Sequence, residues 1–171
     1  MDGLVHEGYG RLIYENFLNL NFIEALKGGE GIYYFMPGLR YFTALEKLFF
    51  GDNQFGIFLI LILLPIIFYI LLLELKFSQR FSILFILSFI IFKIPHLGFS
   101  YHHYIKNLLT VYPETLAILS FFICTVFLLK KKYFLSGFSC AIMVFLRPNY
   151  FPTFLAINFF NLILSLRNKD T

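Results

Sequence analysis

From Asn53 to Leu73 the chain carries no charged side chain. About 20 helical residues at roughly 1.5 Å each cover the ~30 Å hydrocarbon core of a bilayer, so this stretch reads as a transmembrane helix. Four more apolar runs follow. Phe81 to Phe92 is short, but extends through Lys93 to Pro95 if that lysine snorkels to the surface. Tyr112 to Leu129 stops at Lys130-Lys131-Lys132, and the last two runs are Tyr133 to Leu146 and Tyr150 to Leu166. The expected fold is all-α: a polytopic transmembrane helix bundle with about five spans near 53–75, 81–95, 112–129, 133–147 and 150–166, preceded by a more polar segment over 1–52. An alternative for the last two runs is a shallow re-entrant hairpin around Arg147-Pro148-Asn149.

The composition agrees. Of 171 residues, 59% are hydrophobic and only 14% charged, with 25 Phe, 11 Tyr and no Trp. That apolar surface is too large for water, which argues against soluble enzymes, disordered linkers, nucleic-acid modules and disulfide-stapled secreted domains. Cys124 and Cys140 both lie inside apolar runs without a His or Cys at a metal-ligand spacing, and read as small buried hydrophobes.

Charge placement orients the set, because short loops rich in Lys and Arg stay cytoplasmic. Lys76 with Arg80, the triplet Lys130 to Lys132, and Arg167 with Lys169 fall on alternate loops, whereas the intervening loops hold only Lys93, Lys106 and Arg147. The C-terminus is therefore expected inside and residues 1–52 outside, on the periplasmic face of a bacterial inner membrane. That outer segment holds seven of the ten acids against four bases. An outside N-terminal segment needs a preceding span, so the expectation is that Met1 is not the true start, or that the chain is a fragment with further spans beyond Thr171 as well.

Within the outer segment, Arg11 to Leu26 alternates Ile13, Phe17, Leu20 and Ile23 with polar positions at helical spacing, and Lys27-Gly28-Gly29-Glu30-Gly31 ends it. Met36-Pro37-Gly38 opens a second amphipathic helix, with Leu39, Phe42, Leu45 and Phe49 on one stripe and Arg40, Thr43, Glu46 and Lys47 on the other; Gly51 closes it at a C′ position. Two interfacial helices ahead of a span form a platform on the membrane surface.

This order, with Asp2 (x3) His6 (x3) Gly10-Arg11, then Tyr34-Phe35-Met36-Pro37-Gly38, then Leu48-Phe49-Phe50-Gly51-Asp52, resembles the GT-C superfamily of integral-membrane glycosyltransferases. More narrowly it resembles the bacterial branch of protein mannosyltransferases and lipid A aminoarabinose transferases. Tyr112-Pro113-Glu114 and Leu146-Arg147-Pro148-Asn149 resemble that family's later helix-boundary motifs. Two positions depart from the pattern: Gly3 stands where a second acid is usual, and one proline stands where two are common.

The resemblance implies transfer of a sugar from a polyprenyl-phosphate donor to a lipid, glycan or protein acceptor on the outer face. In such a reaction a carboxylate accepts the acceptor's hydroxyl proton, and cations or helix N-termini stabilise the departing phosphate. Asp2 is the base candidate. Arg11, Arg40, Lys106 and Arg147 are candidates for the phosphate, with His102 and His103 as hydrogen-bond donors, Glu114 as a substrate ligand and Glu7 as a lower-ranked acid. Each has a bland alternative. Asp2 serves as an N-cap, Glu7 and Glu114 as first-turn acids that suit a helix dipole, and Arg40 as a snorkelling surface charge. Adjacent His102-His103 raises a divalent cation, but neighbours on a helix point about 100° apart and the loop offers no carboxylate before Glu114. Tyr101, Tyr104 and Tyr112 read as an interfacial belt or a stacking surface for a sugar ring. The competing classes are a transporter or flippase piece, a structural membrane subunit, and an oligosaccharide ligase or polymerase. Membrane lipids are partners in every case, and nucleic acid in none.

Overall fold

A computed structural model describes residues 2–30, 38–53, 55–92, 100–110 and 113–167. Among the described residues the chain is all-helical: α1 (Asp2–Leu18), α2 (Phe22–Leu26), α3 (Gly38–Phe50), α4 (Phe55–Glu74), α5 (Gln79–Ile91), α6 (Tyr101–Leu109), α7 (Pro113–Leu129), α8 (Tyr133–Leu146), a 3₁₀ turn (Pro148–Tyr150) and α9 (Phe151–Arg167). The helices begin and end on local chemistry. Ser78 and Ser100 cap α5 and α6, accepting from the N–H groups of Phe81 and His103 at 3.3 Å. Gly51, at φ +75°, closes α3 through a 2.9 Å bond from its N–H to the Lys47 carbonyl, as its sequence position predicts.

One expectation is corrected. The single helix over Arg11 to Leu26 is two helices, because Leu20 takes φ +60° in the run Asn19-Leu20-Asn21 and turns the chain after α1. Asparagine side chains compete for the backbone and favour such breaks.

Among the described residues only α4 is long and apolar enough to cross a bilayer by length and composition; α5, α7 and α8 are shorter apolar helices of 13, 17 and 14 residues. The stretch 93–95 that was to lengthen the second span lies outside the described residues. The core is built where α4, α7 and α8 meet. Small side chains let α7 and α8 approach closely: Cys124, Ser136 and Cys140 are all fully buried, with the Cys124 thiol 3.3 Å from the Ser136 hydroxyl. Phe68 of α4 meets Phe122 of α7 at 4.4 Å and Phe89 of α5 at 5.2 Å between ring centroids. α8 and α9 form an antiparallel pair about the Pro148 turn, where the Asn158 amide oxygen lies against Gly137. The Asn158 amide nitrogen donates to the Phe154 carbonyl of its own helix at 2.9 Å.

Pro65 sits inside α4 and has no N–H to offer the Leu61 carbonyl four residues earlier. The Tyr101 hydroxyl of α6 donates to that carbonyl at 2.9 Å, and the Tyr104 hydroxyl reaches the adjacent Ile60 carbonyl at 3.3 Å. Tyr104 is 1% exposed. These two tyrosines therefore serve α4 and do not form the belt or sugar-stacking surface expected of them; Tyr112 lies outside the described residues.

Candidate functional site

α1 crosses α3 at Gly10, where an added Cβ would fall 2.0 Å from the Thr43 hydroxyl. This close crossing turns the charged stripe of α3 inward. Arg40, Thr43, Glu46 and Lys47 are buried, whereas Leu45, Leu48 and Phe49 are exposed, Phe49 by 75%. The amphipathic pattern was legible, but the polar stripe is the one buried along its length, while the apolar stripe meets the core only at Leu39, 3% exposed, and at part-buried Phe42.

Inside the crossing, charges alternate in a closed ring. Glu7 lies 3.4 Å from Arg11 and 3.6 Å from Lys47, and Asp52 lies 3.1 Å from Arg11 and 2.7 Å from Lys47. The ring borders a cavity of about 140 Å³, which Glu46, Thr43, Asn53 and Ile57 complete. Asn53 links the two helices beside it, its amide donating to the Phe50 carbonyl and its oxygen accepting from the Phe55 N–H at 2.9 Å. Glu46 is 8% exposed, and among the described residues its Oε1 has no hydrogen-bond partner. Burial raises its carboxyl above the usual value; Lys47 and the first-turn N–H groups of Ile57 and Gly56 pull the other way. Asp52 is held below its usual value, mainly by the hydrogen bond from Lys47.

Arg40 is 3% exposed rather than a snorkelling surface charge. Its guanidinium donates to the Gly28 carbonyl at 2.9 Å and to Glu30 at 2.8 Å, meets His6 Nδ1 at 3.5 Å and lies 4.0 Å over the Tyr9 ring. It thus fastens α1 and the turn after α2 to α3.

Glu114 and Arg147 are brought together at 2.8 Å, joining the first turn of α7 to the end of α8. The second Glu114 oxygen is buried without a hydrogen-bond partner among the described residues. The end of α8 also meets α3: a Cβ on Gly38 would stand 2.4 Å from the Phe145 carbonyl. Glu114 and Arg147 therefore sit beside the start of α3. His102, His103 and Lys106 are exposed on α6, which packs on α4, α5 and α7. Asp2 begins α1, one turn before His6, and its side chain lies outside those described. Among the described residues no three His, Cys, Asp or Glu side chains converge as a metal site.

Of the expected site residues, Glu7 and Arg11 line the cavity; its other charged walls, Glu46, Lys47 and Asp52, come from residues assigned to a polar face or to a helix end. Their sequence signal was the charged stripe of α3, which runs directly into Asp52 and the head of α4. The chain matches no known family model, no curated protein and no solved structure.

Proposed function

We propose that the protein is an integral-membrane glycosyltransferase that moves a sugar from a polyprenyl-phosphate donor to an acceptor on the outer face of a bacterial inner membrane. The observation that carries this reading is α3, which buries Glu46 and Lys47 beside a charged cavity at the head of α4 while Leu45, Leu48 and Phe49 stay exposed. On this reading α5, α7, α8 and α9 are further, shorter spans of a polytopic bundle, with residues 1–52 outside and the C-terminus cytoplasmic.

The acceptor hydroxyl oxygen attacks the anomeric carbon, the bond from that carbon to phosphate oxygen breaks, and polyprenyl phosphate leaves with the electron pair. A carboxylate on α1 takes the hydroxyl proton, and Asp2 is assigned that role. Cations assigned to the outer side, Lys106 and Arg147, with His102 and His103, meet the phosphate charge, Glu114 binds substrate, and Arg40, buried against Glu30 and the Gly28 carbonyl, holds α1 on α3.

A second reading, a non-enzymatic polytopic protein or a transporter or flippase piece, is favoured by one specific observation: Arg40 and Arg147 already hold Glu30 and Glu114 at 2.8 Å. Transfer of labelled sugar from polyprenyl-phosphate donors in native membranes separates the two. The transferase reading expects activity that Asp2→Asn lowers by about 10²-fold or more, the scale of a lost general base. Full activity in that variant removes Asp2 from the mechanism; no transfer by the unaltered protein from any such donor leaves the second reading.

A further inference from the structure

On the side of the α1–α3 crossing away from the charged ring lies a groove of about 330 Å³, lined almost wholly by carbon. Ile13 and Ala44, 0% and 5% exposed, form its floor. Phe17, Leu26, Leu45 and Leu48 form lips that are 39%, 56%, 51% and 49% exposed. The groove has room for about ten water-sized groups, too little for a helix about 10–12 Å across and enough for a stretch of one hydrocarbon chain.

We propose that this groove holds one acyl chain of a bilayer phospholipid. The proposal rests on the reading of the chain as a membrane protein. α3 passes into the 20-residue apolar α4 through four residues, so the groove is tethered at the level where α4 enters the bilayer. Its lips continue into other exposed apolar side chains on both sides, Leu18, Phe22 and Ile23 on one and Phe49 on the other. Bilayer lipid is the solvent of that surface, and a narrow apolar slot open to a solvent of alkyl chains fills with one of them.

The test places the protein in phosphatidylcholine nanodiscs carrying a trace of phosphatidylcholine with a diazirine on its acyl chain, and maps the photolabelled residues by mass spectrometry. Phe58 and Ile62, exposed on α4, serve as the internal standard for lipid contact. Label is expected on Phe17, Leu45 and Leu48, reduced several-fold relative to that standard by Ala44→Trp, which fills the floor. Leu45→Gln, on an exposed lip with little packing to lose, is expected to lower the label on Phe17 and Leu48 in the same direction. Label on α4 with none in the groove, label indifferent to both variants, or cross-links between two copies at these residues overturns the proposal. Absence of label on α4 and groove alike overturns the membrane reading, and this inference with it.

Discussion

Tyr101 shows how far a single hydroxyl matters in apolar surroundings. Pro65 leaves the Leu61 carbonyl without its helical donor, and the Tyr101 hydroxyl supplies one from another helix. Tyr101→Phe is expected to cost about 1–3 kcal/mol, the penalty of a buried acceptor left unmade. In a Pro65→Ala background, where residue 65 regains its N–H, the same change is expected to cost clearly less; equal costs in a denaturation cycle in detergent would show that the two residues are not coupled. The two acids beside Lys47 give a contrast in pH. Burial raises the Glu46 carboxyl above 4.5, so the stability it contributes is complete below that value and is lost as pH rises through the folded pKa. The Lys47 hydrogen bond holds Asp52 below 3.8, so its contribution is present above that value and is lost as pH falls through the folded pKa. Relative to the unaltered protein, Glu46→Gln is therefore expected to raise the melting temperature at about pH 7 and Asp52→Asn to lower it, the first difference closing below 4.5 and the second only as pH falls below 3.8.

α3 carries the same argument at the scale of an element. Its charged stripe holds α1, the turn after α2 and the head of α4 together, and its apolar stripe, buried at Leu39, is exposed from Leu45 to Phe49. Lys47→Ala is expected to cost about 1–3 kcal/mol, since it opens the ring and leaves Glu7 and Asp52 facing each other, a loss moderated by the partial exposure of both acids. Phe49→Ala, on the opposite face, is expected to stay within about 0.5 kcal/mol. Chemical denaturation of the two variants in detergent measures the difference, and the reverse order would mean that α3 packs through its apolar stripe. α7 and α8 use another device, closing on Cys124, Ser136 and Cys140, side chains small enough to bring the backbones near.

For the whole molecule, the ends of the helices sort by charge. The ion pair of Glu74 with Lys130 at 3.4 Å brings the turn after α4 to the turn after α7, and with it the exposed bases Lys76, Arg80, Lys131 and Lys132. The acids of the α1–α3 crossing lie at the other end of α4. If α4 spans a bilayer, the two ends face opposite compartments and the basic one is cytoplasmic. A membrane-impermeant maleimide is then expected to label Asn53→Cys from outside and Lys131→Cys only after permeabilisation, with the buried native Cys124 and Cys140 silent in both. Labelling of Lys131→Cys in sealed cells would refute this orientation.

Helix content, the apolar segments and their ends belong to the sequence alone. Charge-free runs, the lysine triplet, Pro148 and the glycine after Phe50 locate α4, α7, α8, α9 and the close of α3 to within a few residues, because helix breakers and charges act locally. The break at Leu20 escaped, since asparagine only biases the backbone and the choice between one helix and two rests on what α1 and α2 pack against. Periodicity found both stripes of α3, yet it carries no sign: which stripe meets protein depends on whether water or hydrocarbon lies outside. The partners of each charge were equally beyond reach. Glu114 and Arg147 stand 33 positions apart, and Arg11 and Asp52 stand 41 apart; only the crossings of α7 with α8 and of α1 with α3 bring them within an ion pair. Local chemistry thus determines where this chain is helical, and tertiary packing alone decides which of its charges are buried and with whom.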